Sequence, residues 1–208
     1  MMDKFKNEYR IASARLSHWD YGWNAAYFVT IGTKDRECFL GGVETRRDVE
    51  TRCIASLPCI ASLRLSDIGK IVETEWLKTP EIRPDMNLEL GEFVVMPNHF
   101  HGIIMIGKNE FNINQGVEYG RDAMHRVSTS NANNRFAPQS KNLASIVRGF
   151  KSSVTMQARK INPGFAWQPR FYDHIIRNDA AHQRIAQYII NNPQNWKEDE
   201  MNCCWDVV

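Results

Sequence analysis

Residues 88–106 read LELGEFVVMPNHFHGIIMI, two apolar runs (Leu88 to Met96 and His99 to Ile106) divided by Pro97-Asn98. Proline presets a turn-compatible φ and asparagine accepts tight-turn backbone, so the pair reads as the turn of a β-hairpin. In a strand, residues two apart share a face, so His99 and His101 project together while Phe100 projects to the other side. Two imidazoles on one face of a strand supply half of a metal site. The plainer alternative is two unrelated histidines, one of them tucked into the core. Gly102 offers room for another backbone or a substrate to come close.

Outward from this hairpin, Ala25 to Thr33 (AAYFVTIGT) is rich in aromatic and β-branched residues and reads as a core strand. Glu37 to Leu65 shows no usable period. After Ser66, a suitable N-cap, Ile68, Ile71, Val72 and Trp76 recur at helical spacing until Pro80. Downstream, Lys108 to Ser140 loses periodicity and fills with Asn, Gly, Ser and Gln. It reads as a flexible polar insertion, about 108–140, within a single domain spanning residues 1–208. A helix is predicted over Asn142 to Lys160, with Leu143, Ile146, Val147, Phe150 and Val154 on one stripe. Phe171 to Arg177 reads as a short strand. A last helix runs from an Asn178 or Asp179 cap to Asn192, where Pro193 ends it. Strand, helix, two strands, helix, strand, helix is an α+β order: an antiparallel central sheet with helices packed on one face.

Composition narrows the functional classes. The 208 residues are 43% hydrophobic and 24% charged, as in ordinary globular proteins. No apolar run approaches the roughly 20 residues that cross a bilayer, and Met1 to Arg15 has no signal-peptide core, so a cytoplasmic protein without a membrane partner is expected. The five cysteines (Cys38, Cys53, Cys59, Cys203 and Cys204) are odd in number, and none is spaced as Cys-x-x-Cys, which argues against a disulfide framework or a zinc ribbon. The net charge of +2 is unevenly spread. Lys141 to Arg177 holds seven basic residues against Asp173 alone, a local +6 that leaves −4 on the rest. That asymmetry points either to a polyanionic partner or to a solvated basic face.

The second informative stretch runs from Trp167-Gln168 through Phe171-Tyr172-Asp173-His174-Ile175-Ile176-Arg177 into Ile185-Ala186-Gln187-Tyr188-Ile189-Ile190-Asn191-Asn192-Pro193. Tyr188 and Asn192 lie four apart, on one helix face, where a phenol could attack and an amide oxygen could ligate. Arg184, one turn earlier, suits a phosphate. Helical spacing alone favours the plainer reading, that Tyr188 packs beside Ile185 and Ile189. Trp167, Phe171 and Tyr172 could stack bases or fill the core.

Taken together, these segments resemble the HUH single-tyrosine transposases, and in particular the REP-associated tyrosine transposase branch. The matching residues are Met96 to Gly102, then Trp167-Gln168 with Phe171 to Arg177, then Tyr188-Ile189 to Asn192-Pro193 and Trp196. The likeness covers about Tyr27 to Trp196 apart from the polar insertion. It implies a ferredoxin-like core with both histidines on a central strand and Tyr188 as nucleophile on the following helix. Many relatives carry glutamine as third metal ligand four residues after that tyrosine, where this chain has the shorter Asn192. Tyr172 is the competing phenol, which the likeness aligns with a strand position.

The implied chemistry is metal-dependent nicking and joining of single-stranded or hairpin DNA, with Mg²⁺ or Mn²⁺ held by His99, His101 and Asn192 and a 5′-phosphotyrosine formed on Tyr188. No residue stands out as the general base; the metal's field or a bound water are candidates, and His174 is a weak third. Arg148, Ser152, Thr155 and Arg159, opposite the apolar stripe of their helix, would contact the phosphate backbone with Lys151, Arg170, Arg177 and Arg184. Either a monomer or a homodimer is compatible with the likeness. The competing classes are a water-using metal hydrolase, a catalytically silent hairpin-DNA-binding protein, and a replication initiator or relaxase.

Overall fold

Backbone hydrogen bonds turn the apolar runs into one sheet. The computed structural model describes residues 19–45, 61–112, 140–199 and 201–202, together with the backbone of 4–5 and 8–9. A two-residue ladder pairs β1 (Lys4–Phe5) with β2 (Glu8–Tyr9). The sheet proper is built from β3 (Ala25–Gly32), β6 (Leu88–Val95), β7 (His99–Ile106) and β8 (Tyr172–Ile176). Its order is β6-β7-β3-β8, every neighbour antiparallel. Two helices, α1 (Asp67–Leu77) and α3 (Leu143–Ile161), sit between β3 and β6 and between β7 and β8. The resulting strand–helix–strand–strand–helix–strand order, with β3 and β7 at the centre, is the ferredoxin-like α+β arrangement.

Local chemistry explains the boundaries. The Ser66 hydroxyl accepts from the Gly69 N–H and starts α1. α1 ends at Leu77, and Pro80 falls in the first turn of a separate helix, α2 (Thr79–Ile82), where its missing N–H costs no hydrogen bond. Asn142 and Ser145 exchange reciprocal side-chain-to-backbone bonds in a capping box at the head of α3. The unread region between residues 37 and 65 contains β4 (Gly41–Thr45) and β5 (Ala61–Leu65), an antiparallel pair. Leu63 and Leu65 alternate there with the exposed Ser62 and Arg64, a period too short to stand out. Of the expected insertion, 113–139 lies outside the described residues, as do Cys53, Cys59, Cys203 and Cys204. Residues 108–112 form a turn in which the Asn109 amide donates to the Met86 and Gly107 carbonyls.

One side of the sheet carries Tyr27, Val29, Ile31, Phe100 and Ile104, which form the main core with Ile68, Val72 and Trp76 of α1 and Ile146, Phe150 and Val154 of α3. The other side carries Phe28, Ile103 and Ile176 under α4 (Asp179–Asn191), whose Ala181, Ala186 and Ile189 are buried. The sequence reading placed the helices on one face. The two helices within the ferredoxin-like repeat obey it, but α4 covers the opposite face. The cause is strand parity: Phe28, Ile103 and Ile176 all project to that face and are apolar, so it also needs a cover.

Gly102 also differs from expectation. It projects into the main core, where a Cβ would stand 2.8 Å from Phe100 Cζ and 2.9 Å from Trp76 Cζ2. The close approach it permits is that of Trp76 and Phe100, whose ring centroids are 4.7 Å apart. Gly102→Val therefore overpacks a rigid ring cluster and should cost about 1–3 kcal/mol. A thermal melt that matches wild type would show that the rings can move aside.

Candidate functional site

Strand parity puts His99 and His101 on the α4 side of β7, and α4 delivers Tyr188 and Asn192 to them. The two imidazole centroids are 4.5 Å apart. His99 is fully buried and His101 is 4% exposed, and burial pushes their pKa values down to about 4 and about 3. Both rings are therefore neutral at physiological pH and carry ligand lone pairs.

The tautomers follow from the neighbours. The Asn98 amide nitrogen donates to the carbonyls of Arg36 (3.1 Å) and Met201 (2.6 Å), which fixes its orientation. Its oxygen then faces His99 Nδ1 at 2.8 Å, so Nδ1 carries the proton and Nε2 the bare lone pair. His99 Nε2 is buried with no hydrogen-bond partner, and so is Asn192 Oδ1. His101 Nδ1 lies 2.8 Å from the Thr30 hydroxyl on β3, leaving its Nε2 3.4 Å from the Tyr188 hydroxyl. Asp199 completes the group: a nitrogen of each histidine and a carboxylate oxygen of Asp199 all lie within 4.8 Å of one another. His99, His101 and Asp199 thus form a cluster able to hold a metal ion. Unpartnered buried acceptors beside a carboxylate are what a cation would satisfy.

Tyr188 is 47% exposed, unlike the neighbouring Ile189, and its ring meets Phe28 edge-on. Ala186 and Ile189 anchor α4 to the sheet, so the phenol sits at the rim with its oxygen turned inward to His101. Tyr172 is on β8, paired with Thr30, and 57% exposed. Trp167 is a core residue, and Phe171 packs against the same core. His174 is exposed opposite Phe28, and the imidazole within reach of the Tyr188 hydroxyl is that of His101.

The basic candidates are dispersed. Arg148, Ser152 and Arg159 are exposed on α3, across the sheet from the histidines. Lys151 is turned inward: its amino group donates to the Gln168 (2.7 Å) and Arg170 (2.8 Å) carbonyls, and burial lowers its pKa to about 8. Arg159 Nε likewise donates to the Phe165 carbonyl. Together Lys151, Ser152, Thr155, Arg159, Trp167 and Gln168 border an open groove of about 530 Å³. Arg170, Arg177 and Arg184 are exposed, the last on α4 beside Tyr188.

Three site residues escaped the sequence reading. Thr30 and Asn98 become visible only through strand register and a turn amide. Asp199 lies about a hundred residues from the histidines with no motif spacing to mark it.

No family model matches the chain. A Haemophilus influenzae (strain Rd) protein described as uncharacterized is 32% identical over 191 residues, covering 91% of each chain. Among solved structures, that of a REP-associated tyrosine transposase bound to a REP hairpin superposes with a TM-score of 0.51 at 16% identity, over 94% of this chain and 81% of that one. No helix among the described residues is long and apolar enough to cross a membrane.

Proposed function

From a chain that belongs to one family with the Haemophilus influenzae protein and has the fold of a REP-associated tyrosine transposase, we propose a metal-dependent transposase that nicks and rejoins single-stranded or hairpin DNA through Tyr188. The observation that carries this reading is the junction of an exposed phenol with two buried neutral imidazoles, the Tyr188 oxygen lying 3.4 Å from His101 Nε2. The ring packs edge-on to Phe28 and His101, which turns its oxygen toward the imidazole.

His99, His101 and Asn192 would hold the ion, His99 and Asn192 through buried acceptors that have no hydrogen-bond partner. A divalent ion such as Mg²⁺ or Mn²⁺ supplies Lewis-acid stabilisation of charge developing on the phosphate. Tyr188 attacks phosphorus, the bond to the 3′ oxygen breaks, and a 5′-phosphotyrosine forms while the leaving oxygen takes up a proton. The phenolic proton escapes to solvent, which the half-exposed side chain meets directly. Because the ester conserves the bond, a free 3′ hydroxyl can reverse the step and join a different end. One lone pair serves one partner, so His101 cannot be ligand and proton acceptor at once. Arg184 would meet DNA at the cleavage side, whereas Arg148, Ser152 and Arg159 would meet backbone that wraps to the α3 side.

The test incubates the full chain with single-stranded DNA carrying hairpins from around its own gene, with Mg²⁺ or Mn²⁺. A denaturant-resistant protein–DNA adduct with a released 3′ hydroxyl is the expected product. Cleavage without adduct would replace this reading by a water-using hydrolase, and tight binding with no product by a silent DNA-binding protein.

A further inference from the structure

We propose that Asp199, on the segment following α4, is a protein ligand of the metal held by His99 and His101, an inference that rests on the metal-site reading above. Asp199 Oδ2 stands 3.9 Å from His99 Nε2. With metal–ligand bonds of about 2.0–2.2 Å, donor atoms of one ion lie roughly 3–4.3 Å apart. The His99–Asp199 pair is within that span, and all three donor atoms lie within 4.8 Å of one another.

A cation between the two groups accounts for the contact. Asn98 fixes the His99 proton on Nδ1, so Nε2 presents a lone pair to a carboxylate oxygen with no proton between them. Two acceptors facing each other across a buried gap repel unless a cation lies between. Asp199 is only 8% exposed, so water does little to screen the pair.

The carboxylate is also built into place. Its Oδ1 accepts from the Met201 N–H at 2.7 Å, and its Oδ2 accepts from the Asn192 amide at 3.2 Å. The Met201 carbonyl in turn accepts from Asn98, the residue that orients His99. One asparagine therefore sets a ligand tautomer and anchors the segment bearing the carboxylate. Asn192 adds a positioning role through its nitrogen to whatever its oxygen contributes. Two imidazoles and an amide carry no charge, and a carboxylate is the group that favours a hard dication in such a pocket.

The test measures Mn²⁺ affinity of the full chain by the loss of free-ion electron paramagnetic resonance signal, without DNA. Asp199→Asn keeps the size and the Met201 contact and should weaken Mn²⁺ about ten- to a hundred-fold. Asp199→Cys loaded with Co²⁺ should show a sulfur-to-cobalt charge-transfer absorption that wild type lacks. This signature reports contact with the ion even if Asp199→Asn folds poorly. Wild-type binding with unchanged Asp199→Asn affinity, or a folded Asp199→Cys variant that binds Co²⁺ without the band, overturns the ligand assignment alone. A wild-type chain that binds no Mn²⁺ overturns the metal-site reading and this inference with it.

Discussion

Tyr188→Phe should abolish the covalent adduct, lowering its yield at least about a thousand-fold, while hairpin binding and Mn²⁺ affinity change less than about two-fold. The substitution removes one oxygen and keeps the ring that meets Phe28 edge-on. Ala186 and Ile189 continue to hold α4 on the sheet, so the backbone has no reason to move. The long 3.4 Å contact to His101 is lost, and the His101 Nε2 stays available as a ligand. A collapse of adduct formation would therefore report the missing nucleophile. Tyr172→Phe is the matched control, since Tyr172 shares the sheet face of His101 through its pairing with Thr30 and is more exposed than Tyr188. Adduct retained in Tyr188→Phe and lost in Tyr172→Phe would transfer the nucleophile to β8.

The elements that the sequence reveals are those with a strong local signal. The β6–β7 hairpin is visible because Pro97-Asn98 interrupts two apolar runs, and the His99–His101 face follows from strand parity alone. The caps Ser66, Asn142 and Asn178 stand just before apolar-periodic stretches, and each accepts a backbone N–H within its own first turn. Residues whose roles are set by distant contacts stay hidden. Lys151 is legible as a basic residue, but its bonds to two carbonyls of the loop at 168–170 emerge only from the fold. α4 was legible as a helix, but its sheet face was not, because amphipathicity shows that a helix has a buried side without naming the surface it covers. Asp199 shows the same limit at the site itself: its partners Asn192 and Met201 are local, while His99 is reached only through the fold.

Removing the metal should be the second large effect, and chelation separates it from damage to the fold. EDTA should suppress adduct formation by about a hundred-fold or more, and excess Mn²⁺ or Mg²⁺ should restore it in wild type. His101→Ala should behave like the chelated protein and not be rescued by either ion. The variant loses a ring that stacks on Phe28 at 5.3 Å, so a lower melting temperature accompanies it, and that loss must be set apart from lost chemistry. The chelated wild type provides the separation, since it keeps every side chain. His99 is the less clean probe: its deletion would also remove the bond to the Asn98 oxygen, on whose amide the Met201 segment hangs. If chelated wild type still forms adduct at its full rate, no ion is required. The lone pairs of His99 and His101 would then act directly on substrate or proton, and the convergence of two neutral imidazoles on Tyr188 would be acid–base machinery instead of a metal site.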